Sequence, residues 1–257
     1  MKAKTLCAAV LSTLILGGTV ASAAEAPTHP MTTNGHVTVE NGKVDPEPGV
    51  TDPEKPDEKL PDLPDVKPNP TDPENMGPLE ISHAPVLQFG TVQTDTKDVT
   101  KYAAANKFKN AAGEDQTRGA ILQFGDLRTD ANGYTVNAKM TKQFTQTTGT
   151  GELTGSTITF TNPFSATADG STGTTPGFET KVELAYNESA LVATAENADK
   201  AGKGMWAVEY GSSKNVNAED TTESSVELLI PANTASSMAG GAYVSDIEWS
   251  ITAAPQD

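Results

Sequence analysis

Cysteine is all but missing from this chain: Cys7 is the one thiol among 257 residues. It can form no internal disulfide and no cysteine metal site. Exported domains often rely on disulfides, so a chain of this kind must be held by its apolar core. Histidine is nearly as scarce, with three in all, and only His83 stands past residue 77. No Gly-x-Ser-x-Gly elbow, no phosphate-cradling glycine loop and no His-x-x-x-His pair occurs. The expectation is a protein with no catalytic residues, no metal ligands and no cofactor, that is, not an enzyme. Positive charge is also in short supply. Lys and Arg number 18 against 34 Asp and Glu, a formal charge of −16. That argues against nucleic-acid partners, whose phosphates need neutralising, and against anionic membrane surfaces.

The N-terminus has the one long apolar run. Lys2 and Lys4 precede Leu6–Leu16, broken only by Ser12 and Thr13, and Ala21-Ser22-Ala23 follows. Charged head, apolar middle and small-residue site in that order are the pattern of a secretory signal peptide, cut after Ala23. The run is too short for a membrane span, which needs about 20 apolar residues, so no transmembrane segment is expected in the mature chain. No Leu-Pro-x-Thr-Gly sorting motif closes the sequence, and surface retention is expected to be non-covalent.

Residues 24–76 hold eleven of the 17 prolines, twelve acidic residues, four lysines and no aromatic. Asp-Pro-Glu recurs at 45–47, 52–54 and 72–74. Such a segment buries too little apolar surface to offset chain entropy, so it reads as a disordered acidic tail drawn toward extended polyproline geometry. His36–Glu40 alternates like a short strand between two Asn-Gly turn signals. From residue 77 to 257 the composition is globular and suits one all-β domain. Strand-like runs bounded by turn residues fall near 79–83, 86–92, 119–125, 133–140, 156–161, 180–186, 204–210, 225–230 and 242–252. About nine short strands predict a sandwich-like or barrel-like domain. Helical patterning is confined to Val99–Phe108 and a turn near Ala190–Lys200. Val86-Leu87-Gln88-Phe89-Gly90 is echoed by Ile121-Leu122-Gln123-Phe124-Gly125, as if two equivalent strands paired.

An ordered set of short motifs runs through the globular part. It begins with Gly77-Pro78-Leu79-Glu80-Ile81 and Pro85-Val86-Leu87-Gln88-Phe89-Gly90. Asp126-Leu127-Arg128-Thr129, Asn132-Gly133-Tyr134-Thr135-Val136 and Leu153-Thr154-Gly155-Ser156-Thr157-Ile158 follow. Gly202-Lys203-Gly204-Met205-Trp206, Val226–Ala232 and Tyr243–Ile251 complete it. From about Gly77 to Pro255 the chain resembles the WxL cell-wall-binding domain of Gram-positive bacteria. Its two motif positions read Tyr134-Thr135-Val136 and Trp249-Ser250-Ile251, keeping aromatic-polar-aliphatic order without a literal Trp-x-Leu. The resemblance implies a secreted, extracellular protein at the cell surface that attaches non-covalently to peptidoglycan. It also implies possible partners among wall-anchored and membrane-anchored surface proteins.

Strand periodicity reads the motif aromatics independently, because side chains two apart share a face. Tyr243, Ile247, Trp249 and Ile251 fall together, opposite Val244, Asp246 and Glu248. Tyr134, Val136, Ala138 and Met140 share one face, and so do Trp206, Val208 and Tyr210. Trp249, Tyr134, Trp206 and Tyr243 are therefore the candidate binding residues, with two readings open. They build the core, or their rings stack on sugar; on the first reading the ligand surface lies elsewhere, on loops carrying Phe144, Phe164 or Phe178. Asp246 and Glu248 have the spacing of a glycosidase pair but read as a solvated strand face. Asp130-Ala131-Asn132-Gly133 reads as a tight hairpin turn rather than a calcium loop. Arg128 beside Asp126 reads as a structural ion pair. Three functions remain: a wall-binding module, a structural or adhesive subunit that reaches the wall through partners, and, least supported by the residues, a wall hydrolase.

Overall fold

Period-two alternation of apolar and polar side chains makes the long strands of this protein. The computed structural model describes residues 35–44, 49–60, 76–110, 112–129, 132–167, 173–198 and 200–255. Among them the first strands are β1 (Thr51–Asp52), β2 (Lys55–Lys59), β3 (Leu79–His83), β4 (Val99–Tyr102), β5 (Asn106–Lys109) and β6 (Asp115–Arg118). β7 (Ala120–Asp126), β8 (Tyr134–Gln146), β9 (Thr157–Thr161), β10 (Pro163–Thr167) and β11 (Gly177–Phe178) follow. The series closes with β12 (Lys181–Leu184), β13 (Ser189–Ala195), β14 (Gly204–Tyr210), β15 (Val226–Ile230), a one-turn helix α1 (Ala232–Ala235) and β16 (Tyr243–Ala253). Three four-stranded sheets result, ordered β10-β14-β7-β3, β11-β13-β8-β16 and β12-β9-β15-β4, with β1-β2 and β5-β6 as separate hairpins. Every ladder is antiparallel.

All three sheets feed one apolar core. Leu122, Phe124, Trp206 and Tyr210 come from the first sheet, Tyr134, Val136 and Val192 from the second, and Ile158, Phe160 and Leu228 from the third. Ring contacts tie the sheets together in pairs. Phe160 meets Tyr210 at 5.0 Å and Trp249 at 5.6 Å, both edge to face. Phe124 meets Tyr134 at 5.8 Å in the same manner. Such pairs add about 0.5–1.5 kcal/mol each beyond the area they bury.

The outer face of the first sheet is covered as well, and this changes the domain's boundary. β7 is buried at every position. Leu122 and Phe124 point to the core, while Ile121, Gln123 and Gly125 face the other way, beside Ala207 and Glu209 of β14. Residues 41–44 and 49–60 lie over that face. Leu60 packs with Ile121 and Ala207, flanked by Val50 and Phe108. Val44 is fully buried, and its amide donates to the Gly77 carbonyl at 3.0 Å. A Cβ at Gly125 would collide with Met205 and with Val44, so glycine is what lets the segment lie this close.

A buried charge cluster fastens the segment. Arg118, 1% exposed, donates from Nε and Nη2 to Asp52 at 2.7 and 2.6 Å. Its Nη1 lies 3.1 Å from Glu54 and also donates to the Thr117 carbonyl. Glu54 in turn accepts from the Ser213 amide and hydroxyl, both at 2.5 Å. The Thr51 amide donates to Gln123 Oε1 at 2.8 Å, and Gln123 Nε2 donates to Ser82. Burial acts to lower the Arg118 pKa, but the hydrogen bonds and charge of Asp52, with Glu54 and Glu209, outweigh it and raise the value. Glu209 completes the cluster, accepting from the Gly119 amide at 2.6 Å, while its Oε2 has no partner among the described residues. Burial pushes its carboxyl up to about 8, against the lowering effect of the Gly119 bond and with a further push from Glu54.

Within the segment expected to be a disordered tail, the described residues 41–44 and 49–60 contribute buried side chains, Val44, Thr51, Asp52, Glu54 and Leu60 among them. Residues 1–34, 45–48 and 61–75 lie outside the described residues, the proposed signal peptide among them. His36–Glu40 joins no ladder. Eight of the nine expected strands have counterparts, and 86–92 is an extended stretch without a ladder, so the echoed sequences do not pair. The helix expected over 99–108 is instead β4 and β5, and the turn expected near 190–200 begins as β13. In both, β-ladder pairing in the tertiary structure overrides weak local helix propensity. Gly133 has φ +73, as an Asn-Gly turn needs, yet β7 and β8 belong to different sheets, so no hairpin forms there; Asp130 and Ala131 lie outside the described residues.

Breaking a buried ion pair from one side costs about 3–5 kcal/mol. Arg118→Ala is therefore expected to lower unfolding free energy by about that amount in urea titration. A fragment beginning at residue 77 loses the same pairing together with the cover over Ile121, and should be less stable than one beginning at residue 39. Glu209 supplies a pH signature. The folded state keeps a proton that the unfolded chain releases near 4.5, and gives it up only near 8. Stability contributed by this group therefore falls as pH rises through that window. Thermal melts across the window should show the fall, and Glu209→Gln should flatten it.

Candidate ligand groove

Two of the four candidate aromatics are interior. Tyr134 is 0% and Trp206 1% exposed. The Tyr134 hydroxyl donates to the Gly202 carbonyl at 3.1 Å, and the Trp206 indole N–H to the same oxygen at 2.9 Å. Burial raises the Tyr134 pKa, with Asp126 adding to the shift. These rings organise the turn at 202 and offer no face to a ligand. Trp249 is half-buried on the core-facing side of β16, as the alternation predicts, with its ring against Phe160. Asp246 and Glu248 are exposed on the opposite face, across from Lys142 and Lys139 of β8. Asp126 and Arg128 form the expected ion pair, with bonds of 2.9 and 2.7 Å, and Lys203 joins from the other side. His83 is held neutral at pH 7, its pKa pushed down to about 4 by burial.

Tyr243 stands apart from the other three. It starts β16 at the wall of a groove of about 610 Å³, a size suited to a small ligand. One wall is the extended stretch 87–94, where Leu87, Phe89 and Val92 are half-buried and Gln88 and Thr91 exposed. Phe89 meets Phe144 of β8 edge to face at 6.1 Å. The Gln88 carbonyl accepts from the Ala104 amide at 2.8 Å, which holds the stretch to the sheet without a ladder. Leu228 and Ile230 of β15 form the floor.

The far wall is the loop 238–242, held by several bonds. The Tyr243 hydroxyl donates to the Ala239 carbonyl at 2.8 Å and Gln146 Nε2 to Gly240 at 2.7 Å. The Thr147 amide donates to the Ala242 carbonyl at 2.9 Å. Gly241, at φ +148, leaves room for the Gln146 amide that a Cβ would strike. The loop is thus set before any ligand arrives. Among the described residues, not one lining the groove carries a charge, in a chain with formal charge −16. Aromatic and aliphatic faces beside amide and hydroxyl groups suit a neutral, amphipathic ligand such as a sugar ring.

Phe144, Phe164 and Phe178 are not on loops. Phe144 is 8% exposed in β8, while Phe164 and Phe178 are half-buried in the edge strands β10 and β11. Most of the groove escapes sequence reading because five separated stretches meet there, and one of them, 87–94, has a strand's composition without a ladder. Among the described residues, no group of three or more His, Cys, Asp and Glu is placed to hold a metal ion, and no helix is long and apolar enough to cross a membrane.

Comparison with known proteins adds a family. A family model described as "WxL domain surface cell wall-binding" matches residues 26–255. Comparisons with curated proteins and with solved structures found no match.

The burial contrast predicts a stability contrast. Trp206→Ala empties a fully buried site and should cost about 3–5 kcal/mol. Tyr243→Ala removes one hydrogen bond at a half-exposed ring and should cost on the order of 1 kcal/mol. Urea unfolding of the two variants measures both.

Proposed function

The chain belongs to the WxL family of surface cell wall-binding domains, and from that premise we propose that it is a secreted protein that holds Gram-positive peptidoglycan non-covalently, through the groove beside Tyr243, and performs no reaction. The observation that carries this reading is the uncharged groove on a strongly acidic chain. Glycan strands present apolar ring faces and hydrogen-bonding hydroxyl and acetamido groups. Phe89 and Tyr243 supply rings for the former, and Gln88 and Thr91 supply partners for the latter. In this reading residues 1–23 are the signal peptide and the sheets stack as a sandwich-like domain. Trp249, Tyr134 and Trp206 mark the fold, and among the four candidates Tyr243 meets the ligand.

A second reading is favoured by the sheet edges. β10, β11, β12 and β4 end their sheets with a ladder on one side only. Edges of this kind accept a strand from another protein, as an adhesive or structural subunit would use to reach the wall through wall-anchored or membrane-anchored partners. Protein-free sacculi separate the two readings.

The full chain should sediment with purified sacculi stripped of protein, and Phe89→Ala with Tyr243→Ala should weaken binding at least tenfold, about 1.4 kcal/mol. Because the chain is acidic, removing anionic wall polymers should strengthen binding. No sedimentation without added surface proteins would favour the subunit reading, and release of muropeptides would overturn both.

A further inference from the structure

We propose that the recess around Arg118 is a receptor for the tetrapeptide Thr-Asp-Pro-Glu, filled here by the chain's own residues 51–54 and filled in trans by the same sequence from a second copy of this chain. The contact has the form of a peptide in a binding site. β1 and β2 make a two-stranded sheet of their own, with no ladder to the three main sheets. The tetrapeptide is held instead by residues that lie 64 to 159 positions away in sequence. The Thr51 backbone amide is held by Gln123, the Asp52 carboxylate is read by Arg118, and the Glu54 carboxylate by Arg118 and Ser213. Each reader is itself buried: Arg118 is 1%, Gln123 3% and Ser213 5% exposed. Asp52 takes a two-pronged bond from the guanidinium, a geometry specific for a carboxylate. Pro53 adds stiffness, which lowers the entropy lost when the tetrapeptide is bound.

The sequence supplies more ligand than receptor. Thr-Asp-Pro-Glu stands at 51–54 and again at 71–74, with a third Asp-Pro-Glu at 45–47. Each chain thus carries one Arg118 recess and up to three sequences that fit its chemistry. A tethered ligand competes at an effective concentration on the order of millimolar, so the chain's own segment prevails in dilute solution. Where copies are crowded, residues 51–54 of one copy meet the recess of the next, and a surplus sequence is left to serve the recess they vacate. The contact is heterologous, ligand of one to receptor of another, and joins copies in series. A second copy is the natural occupant because the recognised sequence belongs to this chain.

Two full-chain variants test the exchange without disturbing the charge cluster. Both carry Cys7→Ser; one has Leu60→Cys and the other Ile121→Cys, residues that pack together in this structure. Mixed under mild oxidation, they can form the mixed disulfide only when one copy's segment lies on the other copy. The expected result is a mixed disulfide that rises with protein concentration and falls at least tenfold when a synthetic peptide of residues 49–60 is added in excess. The same peptide, fluorescently labelled, should bind the full chain saturably, and Asn and Gln in place of its Asp52 and Glu54 should weaken it at least tenfold. No mixed disulfide and no peptide binding would overturn the proposal. Peptide binding without a mixed disulfide would overturn the second copy as occupant and leave an acidic proline-rich segment of another protein.

Discussion

Burying the Arg118 guanidinium commits this fold to bringing carboxylates to it, because an arginine taken out of water without partners is costly. The carboxylates that pair with it, Asp52 and Glu54, come from the proline-rich stretch far upstream. Once they are in place, the rest of that stretch follows. Leu60 closes over Ile121 and Ala207, Val44 over Gly125, and the outer face of the β7–β14 pair ceases to be a surface. A sheet with one wet side becomes a sheet buried on both. The described residues 41–44 and 49–60 of the acidic segment are therefore packed with the sheets, and the family match, which starts at residue 26, spans them as well.

The same division of labour explains how an acidic protein can present a neutral site. Charges are gathered at the Arg118 cluster, at the Asp126–Arg128–Lys203 cluster and on solvated strand faces such as that of Asp246 and Glu248. The groove beside Tyr243 is left without any. Its walls are set by bonds from Gln146 and Thr147 to the 240–242 backbone rather than by a ligand. A preformed, uncharged site loses little entropy on binding; under the proposed function its selectivity would come from ring stacking and hydrogen-bond placement.

What alternation can see was legible in the sequence. Tyr134-Val136-Ala138-Met140, Trp206-Val208-Tyr210 and Ile247-Trp249-Ile251 lie on the faces their spacing assigns. What depends on partners far along the chain was not. Asp52 and Glu54 look like solvated charge in a proline-rich run, and nothing local marks them as the counterions of Arg118, 66 residues away from Asp52. A signal was present in the pairing of Val50 with Leu60, apolar residues placed at either end of one acidic repeat. The groove was missed for a related reason. Its wall at 87–94 has the composition of a strand but no ladder, and Phe144 sits in a long strand where a loop was expected. Of the residues lining the groove, the sequence marks Tyr243 as a candidate and Phe144 as part of the alternative ligand surface.

Recognition without reaction at one uncharged groove is the function proposed for this chain. Nuclear magnetic resonance of the isotope-labelled full chain, titrated with soluble peptidoglycan glycan fragments, tests it most directly. The predicted result is a set of saturable amide shifts confined to residues 87–94 and 238–243, with the fragments recovered intact. Shifts centred on another face, or conversion of the fragments during the titration, would contradict it.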